Sequence, residues 1–478
     1  MRRPVRRALS AAVVVLLVAS ALPVLMLRDA DATDRDADAR AELVPIATGP
    51  TPELGGRLLT ARRTPVALTA PVSQRRLAAA LEGFAAQLPE QSCLSVSLDG
   101  VPTFDVRADV PLIPASTLKL LTATAVLDEI GPDARLTTTI VSAEPPVDGV
   151  VEGDVWVVGG GDPLLYTEAY AAAFGRQPQV RTAFEDVGER VAAAGVTTVT
   201  GSVVGDETRY DAVRYLPSWP ERYIEQNNTG PLSALSIDDG FSRFDGPVVH
   251  ADDPAAFGAT VISGLLAEAG VEVVGGVGNG AAPADAHVLA SVESLPTSEI
   301  VAQMLRESDN STAELLLKEL GLRLGGEGTW QAGTVAVTEL LTSRGLPTAG
   351  LVVQDGSGLD RGNRATCELL RTLVDEAGRD SVLASGFAVA GETGTLANRF
   401  SDHPAEGRMI AKTGFLNEVN GLAGFVDGRS GTTIGFALVT NGVPLDSSLG
   451  FDLQDQLARV LVDQPIVPAV VDLDLADG

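Results

Sequence analysis

The chain is 478 residues long and 45% hydrophobic, enough for two or three domains, each with its own core. A formal charge of −28 argues against nucleic acid as a partner and against a broadly cationic membrane-binding face, so an anionic substrate must be captured by local positive charge. Two cysteines (Cys93, Cys367) and three histidines (His250, His287, His403) lie far apart with no ligand spacing, so neither a metal nor a cofactor is expected.

Residues 1–7 carry four arginines, residues 8–27 are almost unbroken apolar sequence, and acidic sequence follows. That order reads as a membrane anchor or signal peptide (1–27) with the remainder exported, because roughly 20 apolar residues span a bilayer and the positive flank stays inside. Ala19-Ser20-Ala21 keeps cleavage open. The expected location is extracytoplasmic, anchored by this segment or secreted, with the membrane touched through it alone. Residues 28–64 are acidic and rich in Ala, Gly and Pro, an expected flexible linker.

A helical pattern over 77–88 precedes two alternating segments, 93–98 and 103–110, read as a hairpin around Asp99-Gly100. An apolar helix-like run follows over 120–130. Residues 136–290 then change to short Val/Thr/Gly strands broken by Pro-rich loops, expected to form a β-rich inserted domain that splits another into 65–135 and 291–465. Gly159-Gly160-Gly161 and Gly275-Gly276-Val277-Gly278 open no helix and carry no following Lys-Ser/Thr, so they read as turns. Helices are expected over 300–305, 312–324, 333–343 and 365–376. Strands are expected over 409–415, 420–426 and 432–440, then a helix over 453–462 and a tail from 466 to 478. The simplest assembly is α+β: an antiparallel sheet flanked by the first and last helices, with an all-helical subdomain holding Ser308.

Only three of the 35 basic residues are lysine: Lys119, Lys318 and Lys412. Arginine replaces lysine wherever a surface cation suffices, but not where an amine must lose its proton, so each surviving lysine is a candidate for chemistry. Lys119 follows Ser116 by three positions in Pro114-Ala115-Ser116-Thr117-Leu118-Lys119, setting a hydroxyl nucleophile one helical turn from an amine base. Lys412 opens Lys412-Thr413-Gly414, and Ser308-Asp309-Asn310 lies between. Lys318, mid-helix beside Glu319, reads as an ordinary solvated residue.

Ser-x-x-Lys, Ser-Asp-Asn and Lys-Thr-Gly are each weak alone, but in this order they form the set found in β-lactamases and penicillin-binding proteins. With Val158-Gly159-Gly160-Gly161-Asp162-Pro163, Asp355-Gly356-Ser357-Gly358-Leu359 and Gly394-Thr395-Leu396 with Arg399, the chain resembles the class C low-molecular-mass penicillin-binding proteins, the D-alanyl-D-alanine carboxypeptidase and endopeptidase family. The resemblance implies a serine penicillin-binding/β-lactamase-like transpeptidase domain that hydrolyses D-Ala-D-Ala of peptidoglycan stem peptides through an acyl-enzyme. Peptidoglycan peptides are then the substrates and β-lactams covalent inhibitors, without cofactor.

Carried over by position, Ser116 is the nucleophile and Lys119 its base, kept partly neutral by burial and by the Lys412 ammonium. Ser308 relays a proton to the leaving amine, and Asn310 holds the substrate amide and orients Lys119. Lys412 and Thr413, with Gly414, bind the terminal carboxylate, and the N–H groups of Ser116 and Phe415 form the oxyanion hole. One departure matters: the family often has threonine after Lys-Thr-Gly, where this chain has Phe415. A β-lactamase reading lacks the Glu-x-x-Leu-Asn base, since Glu339 precedes Leu340-Leu341-Thr342-Ser343. A catalytically inactive wall-binding protein is the other alternative. In an exported chain the two cysteines are expected to pair.

Overall fold

The computed structural model describes residues 66–428, 431–444 and 446–464. The expected anchor, linker and tail lie outside the described residues. Among the described residues no helix is long and apolar enough to cross a membrane.

Helix α1 (Val66–Ala85) starts earlier than its apolar pattern and contains Pro71. Strands β1 (Ser92–Leu98) and β2 (Val101–Val106) form the hairpin, with Asp99 and Gly100 at φ +49° and +76° as a tight turn of this kind requires. A 3₁₀ turn, Ala115–Leu118, runs straight into α2 (Lys119–Glu129).

The next stretch has its own sheet: β3 (Thr137–Ser142), β4 (Val155–Val158), β5 (Val203–Asp206), β6 (Val277–Asn279) and β7 (His287–Glu293), in the order β6-β5-β4-β3-β7. Its core is valine-rich, with Val155, Val157, Val199 and Val203 fully buried. Helix α3 (Pro254–Glu268) packs on it and was not expected from sequence. Small residues (Ala255, Gly258, Ala259) share its buried face with Ile262 and Leu266, and Phe257, Val261 and Leu265 are apolar beside it, which blurs the periodicity; the legible start signal was Asp253-Pro254, with Asp253 accepting the N–H of Ala256. The stretch is therefore less purely β than its texture suggests.

Helices α4 (Thr297–Glu307), α5 (Asn310–Leu320), α6 (Trp330–Ser343) and α7 (Cys367–Ala377) follow. Strands β8 (Ala388–Val389), β9 (Met409–Leu416), β10 (Val419–Asp427) and β11 (Thr433–Asn441) and helix α8 (Leu449–Val462) complete the described chain. The main sheet is antiparallel in the order β8-β9-β10-β11-β1-β2. Both faces are covered, so its central strands are almost wholly buried and their side chains sort by alternation. Leu94, Val96, Phe436 and Leu438 meet Leu77, Leu81, Leu453 and Leu457 of α1 and α8, while Cys93, Ala437 and Val439 point to the helical layer. There Cys93 is joined to Cys367 at the start of α7, with Cα atoms 5.8 Å apart, tying strand to helix across 274 residues.

The reading of Lys318 as solvated is wrong. Its side chain is 1% exposed, its Nζ donates to Asp211 Oδ1 at 2.6 Å and to Val213 C=O at 3.0 Å, and it lies 4.0 Å from the centre of the Trp330 ring. The two hydrogen-bond acceptors come from residues more than 100 positions earlier, so the local sequence around Lys318 could not announce them.

Candidate active site

The turn carrying Ser116 is seated where only glycine lets backbones meet. Gly414 and Gly421 are register partners on β9 and β10, and a Cβ on either would approach Pro114 C=O to 3.0 Å or less. A Cβ on Gly358, at φ +87°, would lie 2.0 Å from Ala115 C=O. Ala115 itself holds φ +49°, an unfavourable conformation for a residue with a Cβ that this packing sustains. The result presents Ser116 on the wall of a cleft of about 490 Å³.

Behind it Lys119 is fully buried. Its Nζ lies 3.3 Å from Ser116 Oγ and donates to Asn310 Oδ1 at 2.7 Å and Ser357 C=O at 2.8 Å. Each of these partners is a neutral oxygen. Burial lowers the amine to about 8 against the opposing pull of the Glu314, Asp355 and Asp309 carboxylates. Asn310 opens α5, where Asp309 caps the helix by accepting the Thr312 N–H at 3.0 Å. Ser308 precedes it in the left-handed conformation (φ +62°) that ends α4. The Ser-Asp-Asn triplet is thus a helix–helix corner, and its geometry aims Ser308 and Asn310 into one cleft.

Two buried acids hold the loop that supplies Ser357. Glu314 accepts the N–H groups of Gly356 (3.0 Å) and Ser357 (2.7 Å) and the Trp330 indole (2.7 Å). Asp355 accepts from Gly358 N, Asp360 N, Asn363 Nδ2 and Trp219 Nε1. Burial, then the neighbouring Asp355, pushes Glu314 up to about 7. The segment between β4 and α3 reaches the same corner: Asn310 Nδ2 donates to Asn228 C=O at 2.7 Å, and Tyr166 bridges Asp239 and Asp309.

On β9, Lys412 is also fully buried, donating to Ser308 Oγ at 2.9 Å and to Thr413 C=O at 2.8 Å. Burial and then the Lys119 charge hold its amine well below the usual lysine range. Thr413 Oγ1 bonds Thr395 Oγ1 at 2.8 Å. Ser116, Ser308, Asn310, Thr413, Gly414 and Phe415 line the cleft, with Lys119 and Lys412 behind it. All eight sequence-selected residues therefore converge. Glu339 is exposed on α6 and does not line it. Sequence reasoning missed Glu314, one turn after Asn310 on α5, a helix buried on all sides, and Asn228, whose backbone contribution leaves no side-chain signature.

The structure resembles that of penicillin binding protein 4 (dacB) from Haemophilus influenzae, with a TM-score of 0.67 at 21% identity over 79% of this chain and 97% of that one. The fold is thus that of a penicillin-binding protein, an antiparallel sheet with helices on both faces. In sequence, the D-Ala-D-Ala carboxypeptidase 3 (S13) family model matches residues 77–247 and 245–464. The chain is 32% identical over 410 residues to D-alanyl-D-alanine carboxypeptidase of Actinomadura sp. (strain R39), covering 69% of this chain and 73% of that one. It is 32% identical over 486 residues to Carboxypeptidase DacB of Mycolicibacterium smegmatis (strain ATCC 700084 / mc(2)155), covering 96% and 97%. The chain belongs to the D-Ala-D-Ala carboxypeptidase 3 (S13) family.

Proposed function

We propose that this cleft hydrolyses the terminal D-Ala-D-Ala bond of peptidoglycan stem peptides, with the roles below. The protein is a serine-type D-Ala-D-Ala carboxypeptidase, a hydrolase of the penicillin-binding class. The observation that carries the residue assignment is Lys119 Nζ, 3.3 Å from Ser116 Oγ and otherwise held by neutral acceptors. An amine so placed can lose a proton and take one from the hydroxyl.

Ser116 Oγ attacks the carbonyl of the penultimate D-alanine as Lys119 accepts its proton. The oxyanion sits between the N–H groups of Ser116 and Phe415. As the C–N bond breaks, the amine of the departing D-alanine takes a proton from Ser308, which is refilled from Lys412 across their 2.9 Å bond. The nearby substrate carboxylate offsets the burial of Lys412, so the docked complex carries that proton. In deacylation water attacks the ester, its proton passes through Ser308 to Lys412, and Lys119 returns its own to Ser116. Both lysines are thereby reset. Asn310 keeps Lys119 oriented, with one amide hydrogen left for the substrate. A crosslink is cut by the same acylation when the leaving amine belongs to a second stem.

β-Lactams acylate Ser116 in the same way, but the amine freed by ring opening stays tethered to the acyl group and keeps the place beside Ser308 that water needs, so turnover is slow. We read residues 65–135 and 291–465 as one penicillin-binding domain and 136–290 as its insertion. Action on peptidoglycan is extracytoplasmic, and the apolar run 8–27 supports a tether there. Fractionation with N-terminal sequencing checks the tether: a soluble product starting near Leu22 would mean cleavage. The activity itself is tested by free D-alanine released from a peptide ending in D-Ala-D-Ala. Release by the native enzyme and none by Ser116→Ala is expected; release by both would refute the assignment.

A further inference from the structure

Lys412 is fully buried beneath Ser308 and exchanges its proton with that hydroxyl during the reaction, so its charge is not a fixed one at the cleft surface. Among the described residues lining the cleft, the charged side chains are Arg222 and Arg399. Arg399 stands on the β9 side. It follows the turn Gly394–Leu396, whose Thr395 bonds Thr413, so Thr395, Arg399 and Thr413 face one end of the cleft.

Its guanidinium is held in place. The ring centres of Phe400 and Phe451 lie 4.8 and 4.7 Å from its central carbon. Nη1 donates to Gln454 Oε1 at 2.8 Å and Nη2 meets Asp455 Oδ1 at 3.3 Å, a half-exposed carboxylate. A guanidinium has five N–H donors, so three remain for a carboxylate. Phe415 takes part in this arrangement. Its ring stacks on Phe451 at 5.7 Å and 18°, extending the aromatic support beneath Arg399.

We propose that Arg399, with the Thr395 hydroxyl, is the permanent cationic anchor for the substrate's terminal carboxylate. Lys412 is then free to exchange its proton. This rests on the reading of Ser116 and the Lys-Thr-Gly strand given above. Arginine suits the task because its planar fork matches a carboxylate and its charge does not vary over the working pH range.

The test compares acylation by a fluorescent penicillin, whose carboxylate is adjacent to the lactam nitrogen, with acylation by its methyl ester. Arg399→Gln is expected to slow reaction with the acid by about tenfold to a hundredfold, the worth of a charged hydrogen bond, and to leave the ester rate nearly unchanged. Thr395→Val should reduce the acid-to-ester ratio by a smaller factor. Arg222→Gln should keep the native ratio. An unchanged ratio in Arg399→Gln, a loss shared equally by acid and ester, or a ratio that collapses only in Arg222→Gln would each overturn the inference. No labelling of the native enzyme, or labelling of Ser116→Ala, would instead refute the assignment of the active site itself.

Discussion

Lys119 and Lys318 occupy packed neighbouring helices, both are buried, and both are among the chain's only three lysines, yet their surroundings differ in kind. Lys119 is ringed by a hydroxyl, an amide oxygen and a carbonyl, with its carboxylates one step removed behind the loop at Ser357. Lys318 meets a carboxylate directly, at 2.6 Å. Burial favours the neutral amine at both sites, but direct contact with Asp211 opposes it at Lys318. Scarcity of lysine thus identifies buried amines, and the nature of the first partner separates a base from a structural ion.

Exchanging each lysine for arginine breaks that comparison most sharply. Lys119→Arg should slow acylation by a labelled penicillin by roughly a hundredfold or more, the worth of a positioned base, because guanidinium has no accessible neutral form. Lys318→Arg should instead be read in stability. The larger head group in a filled site should cost about 1–3 kcal/mol, measured by denaturant unfolding, with the folded enzyme acylating at nearly the native rate.

A smaller effect is expected at the support behind Lys119. Glu314→Gln leaves either the Ser357 N–H, or the Gly356 N–H and the Trp330 indole together, facing an amide donor, and acylation should fall on the order of tenfold. The sign of its pH effect follows from charge. The Glu314 carboxylate raises the Lys119 amine, so removing it should move the rising limb of the acylation profile to lower pH. A limb that stays in place would detach Glu314 from the base.

Much of this was legible in sequence because short motifs report local geometry. Ser116 and Lys119 are one turn apart in any helix, and alternation along β1, β10 and β11 sorts their two faces. What stayed hidden depends on distant chain. Asp211 is invisible from Lys318, and Asn228 contributes a carbonyl that any residue would provide. Helix α3 was lost because small residues share its buried face with Ile262 and Leu266 while Phe257, Val261 and Leu265 make its other side apolar as well, so no clear stripe shows. Glu314 was not readable from its own helix, where it lies one turn from Lys318 and Glu319 is a second buried carboxylate; its significance needs the loop at Asp355 folded against it.

The central claim is that a buried amine, lowered by desolvation, is the general base. The most direct measurement is the pH dependence of the acylation rate of the native enzyme with labelled penicillin. The neutral form of Lys119 grows roughly tenfold per pH unit below its titration point. The rate should therefore climb with pH and level off near the value of about 8 to which burial lowers this amine. A rate that is flat across that range, or one that falls as pH rises toward 8, would contradict the account.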